Sequence, residues 1–106
     1  MSNLSPIQFK HQTDGQINTV SAHLKNEPVG WLHLGKDSGV VEDVYVKEEH
    51  QNKGIATGMW KHAQEVGLNP SHSMTRSQAG DDWSWSLYRK GLAEKPPENV
   101  VEEEDL

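Results

Sequence analysis

Hydrophobic and polar positions alternate along the first half of the chain and then switch to a helical period. Ile7, Phe9 and His11 alternate with polar neighbours, and Asp14-Gly15 is a turn dipeptide. Val20, Ala22 and Leu24 then share one face of a second strand, with Thr19, Ser21 and His23 on the other. Lys25-Asn26-Glu27-Pro28 breaks the pattern, which resumes as a third strand from Val29 to Leu34. A turn over Gly35-Lys36-Asp37-Ser38-Gly39 leads to a fourth strand, Val40 to Val46. Consecutive strands with short connections predict an antiparallel meander.

After His50 the period changes. Ile55, Met59, Ala63 and Val66 recur at helical spacing, with Ala56, Trp60 and Gly67 one step round. Gly67 suits the helix end, and Pro70 follows three residues later. Ser71 to Thr75 reads as a short strand. Thr75 and Gln78 have capping-box spacing and open a second helix through about Gly91. Ala79, Trp83 and Leu87 line one side of it, and Trp85, Tyr88 and Leu92 an adjacent side. The expected fold class is therefore α/β of the α+β type: an antiparallel sheet of about four strands, then two helices.

Composition bounds what this domain can be. The 106 residues suit one domain, and 33% hydrophobic content with a mean hydropathy of −0.81 is polar yet within the globular range. Four Trp, two Tyr and one Phe supply bulky apolar area for a core. The formal charge of −6 is uneven: residues 93–106 hold six acids against Lys95, and the remainder is close to neutral. With Pro96-Pro97 and Glu102-Glu103-Glu104-Asp105, that stretch reads as a disordered acidic tail, leaving a domain over 1–92 and a tail over 93–106. Phosphate-backbone binding needs clustered Lys and Arg, so no nucleic-acid partner is expected.

There is no Cys, which excludes a disulfide framework, a thiolate zinc site and a cysteine nucleophile. Six His residues (11, 23, 33, 50, 62 and 72) match no zinc spacing, although His23 and His33 could lie across neighbouring strands; no metal is expected. No apolar run reaches the roughly 20 residues of a membrane helix, and the first residues lack the basic flank and apolar stretch of a leader. A cytoplasmic protein with no membrane association is the expectation. Trp83 and Trp85 point about 200° apart around a helix axis and cannot form one stacking platform.

Candidate chemistry concentrates in Val40 to Val66, VVEDVYVKEEHQNKGIATGMWKHAQEV. A β-branched strand runs through a polar loop holding Gly54 into an amphipathic helix. Such a junction aims unpaired backbone N–H groups and the positive end of a helix dipole at one spot, which suits an anion. Gly54 lets a phosphate approach the backbone, and Ala56 keeps the helix start uncrowded.

The run Gln51-Asn52-Lys53-Gly54-Ile55-Ala56 resembles the pyrophosphate-loop signature of GNAT N-acetyltransferases, Arg/Gln-x-x-Gly-x-Gly/Ala. Val44-x-Val46 before it, and the four residues between Val46 and Gln51, match that superfamily's approach. The resemblance covers about 27 contiguous residues and implies a minimal GNAT-like fold with acetyl-CoA as co-substrate. By it, the amides of Gln51, Asn52, Lys53, Gly54, Ile55 and Ala56, with Thr57, hold the pyrophosphate, and the backbone of Val44, Tyr45 and Val46 pairs with the pantetheine arm. Glu-Asp-Val-Tyr-Val is similar to the strand of small-amine acetyltransferases in which a carboxylate at the position of Glu42 contacts the amine. Glu42 is thus the candidate base, against the bland reading of Glu42 and Asp43 as sheet-edge charges. Tyr88 is the candidate acid, although the family's Ala-x-x-x-Tyr pattern, counted from Ala79, lands on Trp83; helix packing is the competing role for Tyr88.

The departures from the family matter too. In it the first strand leads into two helices that wall the acceptor site, whereas here Asp14-Gly15 joins strands almost directly. Thr75-Arg76-Ser77-Gln78-Ala79-Gly80-Asp81-Asp82-Trp83 is also similar to a segment of short GNAT-like proteins encoded by actinobacterial phages. Two functions follow from the resemblance. One is acetyl-CoA-dependent N-acetyl transfer to a primary amine, on a small molecule or a protein lysine. The other is a catalytically inactive GNAT-like module acting through CoA binding or protein–protein interaction. A homodimer whose partner supplies the missing wall would restore the first.

Overall fold

The computed structural model describes residues 7–51 and 53–98; the acidic run at 102–105 and Asn52 lie outside the described residues. The chain divides into two compact units, Met1–Pro70 and Ser71–Leu106.

In the first unit β1 (Gln8–Asp14), β2 (Ile17–Leu24), β3 (Glu27–Gly35) and β4 (Val41–Val46) form one antiparallel sheet in the order β1-β2-β3-β4, the predicted meander. Each turn has a local cause. Asp14 pairs with Ile17, so Gly15 and Gln16 make a two-residue loop, with Gly15 at φ 64°. Leu24 pairs with Glu27, which reduces the second break to Lys25 and Asn26, both at positive φ as a type I′ hairpin requires. The expected interruption at Glu27 and Pro28 is therefore not one. Pro28 is accommodated because the β4 pairing begins only at Gly30, so its missing N–H leaves no ladder bond unmade.

Strand alternation gives the sheet two unlike faces. Val20, Ala22, Leu32 and Leu34 are buried on the inner face. Against this face lies α1 (Ile55–Glu65), which touches every strand and buries Ile55, Met59, Trp60 and Ala63. Gly58 is where α1 meets β1: a Cβ there would stand 2.5 Å from the Phe9 ring. The helix stops in a Schellman arrangement, with Gly67 at φ 81° and the Leu68 N–H donating to the Ala63 carbonyl at 2.9 Å. Val66, expected on the buried stripe, is the C-cap and is exposed.

In the second unit, Ser71 to Thr75 forms no strand; only Ser71 makes an isolated bridge. The helix α2 (Gln78–Arg89) begins two residues later than the capping-box spacing implies. Its N-cap is Ser77, whose hydroxyl accepts from the Gly80 N–H at 3.1 Å. Leu87 and Ser84 are the buried residues of α2, whereas Ala79 is exposed, so the apolar stripe is narrower than its sequence pattern.

Arg76 is buried and organises this unit. Its guanidinium donates to the Asp81 carboxylate at 2.9 and 3.1 Å and to the carbonyls of Ser73 and Pro97. The His72 ring also meets the Glu94 carbonyl, at 2.9 Å, and Pro96 is buried. Residues 93–98 thus hold no helix or strand, as Pro96-Pro97 implies, yet they are tied down through their carbonyls.

Candidate acetyl-CoA site

The site is built at the end of β4, the last strand of the sheet. No strand among the described residues pairs with its outer edge. A Cβ on Gly30 would fall 2.7 Å from the Tyr45 carbonyl oxygen.

After Val46 the chain makes a single 3₁₀ turn, Glu48–His50, and enters the loop at Gln51. The Gln51 side-chain amide donates to the Val46 carbonyl at 2.9 Å, which ties the loop's start to the strand's end. The Gln51 N–H donates to Glu48 at 3.3 Å, so the first residue of the signature holds the loop together from both its side chain and its backbone. Asn52 lies outside the described residues, and Lys53 is exposed.

Gly54 is the N-cap of α1 and sits at φ 82°, ψ 10°. A residue with a Cβ is strained there, and a Cβ would meet no atom of the described residues within 4 Å, its chain neighbours aside. Glycine is therefore favoured at position 54 by its backbone conformation. No side chain among the described residues is seen to cap α1; the first intrahelical bond runs from the Gly58 N–H to the Gly54 carbonyl at 2.9 Å. The N–H groups of Ile55 and Ala56 consequently project from the helix start with the positive end of the dipole behind them. No acidic side chain occupies the first turn of α1 to compete for that position.

Glu42 occupies a position that simple alternation does not predict. Leu34 is opposite Val41 and His33 is opposite Asp43, so Glu42 is the extra residue of a β-bulge. Its Oε2 lies 3.6 Å from where a Gly35 Cβ would be, and Gly35 falls in the same alternating set as the outward-facing Trp31 and His33. The bulge therefore turns two consecutive acids, Glu42 and Asp43, toward the outer face. Tyr88 belongs to α2 in the second unit; it is exposed and meets Trp85 edge-on at 5.8 Å.

His23 and His33 are not cross-strand neighbours, because the register sets them opposite Pro28 and Thr19. The histidines that meet are His11 and His62, with ring nitrogens 3.1 Å apart, brought together by the packing of α1 on β1. Among the described residues no three His, Cys, Asp or Glu side chains gather as a metal site would require. No helix is long and apolar enough to cross a membrane, among the same residues.

The sequence profile of the acetyltransferase (GNAT) family matches residues 3–93, and the chain belongs to that family. The fold agrees. An aminoglycoside acetyltransferase from an uncultured soil metagenomic sample, solved with trehalose, superposes with a TM-score of 0.58 at 17% identity, over 89% of this chain and 68% of that one. The ribosomal-protein-alanine N-acetyltransferase of Brucella melitensis biovar Abortus 2308 gives 0.57 at 18% identity, over 89% and 70%. AAC(6')-Iy, solved with the bisubstrate analogue CoA-S-monomethyl-acetylneamine, gives 0.56 at 12% identity, over 88% and 72%. The chain thus spans about two thirds of these structures. A UPF0058 protein of Archaeoglobus fulgidus is 34% identical over 65 residues, covering 58% of this chain and 69% of that protein. GNAT-fold acetyltransferases use acetyl-CoA as the acetyl donor.

Proposed function

We propose that this protein is an acetyl-CoA-dependent N-acetyltransferase whose acceptor is a primary amine on a small molecule or a protein. One observation carries the reading: the loop between β4 and α1 presents Gly54 at positive φ, with no other atom of the described residues within 4 Å of where its Cβ would be, at the start of a helix whose first turn holds no acid. That is the geometry a pyrophosphate needs, since its oxygens must reach backbone N–H groups without meeting a side chain. The open edge of β4 leads away from the loop and suits the amide-bearing pantetheine arm.

Chemistry in this reading asks little of side chains, because the thioester is already activated and the protein chiefly positions the amine against it. Glu42 takes the proton from the ammonium. The amine nitrogen bonds to the thioester carbonyl carbon and gives up its second proton to solvent, the C–S bond breaks, and the thiolate takes up a proton, for which the family resemblance offers Tyr88 as donor. The acceptor is taken as an amine because the family's chemistry is transfer to amines.

Calorimetric titration of acetyl-CoA tests the reading, with Gly54→Asn as the comparison. Asn tolerates left-handed backbone, so this variant should fold normally while its side chain adds bulk at the loop. Affinity for acetyl-CoA is expected to fall about tenfold or more, the equivalent of one lost hydrogen bond to a charged group. Equal affinity in the two proteins would remove the loop as the cradle. Absence of binding by the folded wild-type protein would favour the inactive module instead, which the two-residue β1–β2 turn supports by leaving no helices between those strands.

Tyr88→Phe checks the acid separately. Steady-state turnover with a poorly basic amine, where thiolate departure limits the rate, should drop about tenfold or more. Unchanged turnover at every pH would assign Tyr88 to its edge contact with Trp85.

A further inference from the structure

The outer face of the sheet is polar over β1 and β2, where Lys10, Gln12, Thr19 and Ser21 form its rows. It becomes aromatic only at β3 and β4. Trp31 and Tyr45 are cross-strand partners with ring centroids 4.6 Å apart, and His33 stacks on the other side of the indole at 5.9 Å. A pair of large rings this close normally shields itself from water under a helix or loop. Here Trp31 keeps 37% and Tyr45 43% of its surface exposed.

The shelf is held in a fixed orientation beside a negative charge. The Trp31 Nε1–H donates to the Asp43 Oδ2 at 3.0 Å, and the same oxygen lies 3.9 Å from the His33 Nδ1. The second carboxylate oxygen of Asp43 takes part in neither contact. Glu42 adds a second carboxylate on the same face through the β-bulge. Lys10, in β1, lies two strands from Trp31, about 10 Å away at the usual strand spacing, and Lys47 follows the end of β4 two residues after Tyr45.

Indole and phenol faces attract cations through their quadrupoles, and a neighbouring carboxylate strengthens the attraction. The same charges repel phosphate, so a nucleobase stacked here would bring its backbone against Asp43 and Glu42. A neutral chain would gain nothing from the carboxylates. We infer that the Trp31–Tyr45 shelf binds an alkylammonium group, seated against the rings and paired with Asp43, and that the amine acceptor is therefore cationic at a second centre besides the nitrogen that is acetylated. The acceptor role rests on the acetyl-transfer reading; the cation site itself does not.

The test follows the Trp31 indole N–H in ¹⁵N-labelled full-length protein, its signal identified as the one missing from Trp31→Leu. Titration with 1,6-diaminohexane is expected to move this signal saturably, while 1,6-hexanediol at the same concentrations leaves it in place. Asp43→Asn keeps an oxygen to accept from the indole but loses the charge, and should weaken diamine binding about fivefold or more. An unmoved indole signal, an equal response to the diol, or equal affinity in Asp43→Asn would overturn the cation site. Acetyl-CoA is titrated in the same samples and read at the backbone amides of Gly54 and Ile55. Acetyl-CoA binding without diamine binding would end this inference and leave the acetyl-transfer reading standing. Diamine binding without acetyl-CoA binding would keep the cation site and remove its acceptor role.

Discussion

Replacing Trp60 with alanine is expected to destabilise the protein by about 3 to 5 kcal/mol, a large part of what a domain of this size has. Trp60 is 1% exposed and sits on the face of α1 that carries Ile55, Met59 and Ala63. This helix packs on all four strands and supplies the apolar cover of the inner sheet face in the first unit. A four-strand sheet with one helix has few ways to collapse around a hole the size of an indole, so the cavity term should add to the lost transfer energy. Trp60→Phe keeps a ring in place and should cost much less. Urea unfolding followed by far-ultraviolet circular dichroism measures both. A midpoint for Trp60→Ala within error of the wild type would mean that α1 is not the element that closes this core.

The same packing explains why much of this fold was legible from the sequence. Alternation of Val20, Ala22, Leu32 and Leu34 is imposed by a sheet with one buried face, and that pattern survives in any environment that buries it. The α1 stripe is equally local, and Gly67 marks its end because a Schellman turn requires positive φ. Gly54 stands at positive φ just before α1, but glycine between a strand and a helix is common, and its reading as a phosphate cradle comes from the family resemblance.

What the sequence did not reveal depends on contacts or on competition between neighbours. Two hydroxyls, Thr75 and Ser77, both precede the second helix, and only the backbone decides that Ser77 caps it. The docking of residues 93–98 rests on Arg76 reaching the Pro97 carbonyl, 21 residues on, with no element of secondary structure involved. The meeting of His11 with His62 arises from tertiary packing across 51 residues. The β-bulge at Glu42 leaves no compositional mark, because strict alternation would send Glu42 and Asp43 to opposite faces. An extra residue in β4 reverses that outcome.

That bulge makes Glu42→Gln the most informative substitution for chemistry. In the acetyl-transfer reading, Glu42 removes the ammonium proton, and Gln has the same shape without the basicity. Turnover should fall roughly 10²- to 10⁴-fold, the usual worth of a positioned general base, while acetyl-CoA affinity stays within about twofold because the carboxylate takes no part in cradling the nucleotide. Asp43→Asn separates the adjacent acid: it should raise the KM for a cationic amine with a much smaller change in kcat, since Asp43 is paired to the Trp31 indole and acts on the substrate's second charge. A mere loss of negative charge on the sheet face would affect both variants alike. Equal kcat in Glu42→Gln and wild type would show that the base is elsewhere or that the amine arrives already neutral. A fall in kcat only in Asp43→Asn would reverse the assignment of the two carboxylates. The two residues are adjacent in sequence and turned to one face by a single inserted residue, so the comparison holds strand, exposure and net charge change constant and varies only the position of the carboxylate relative to the amine.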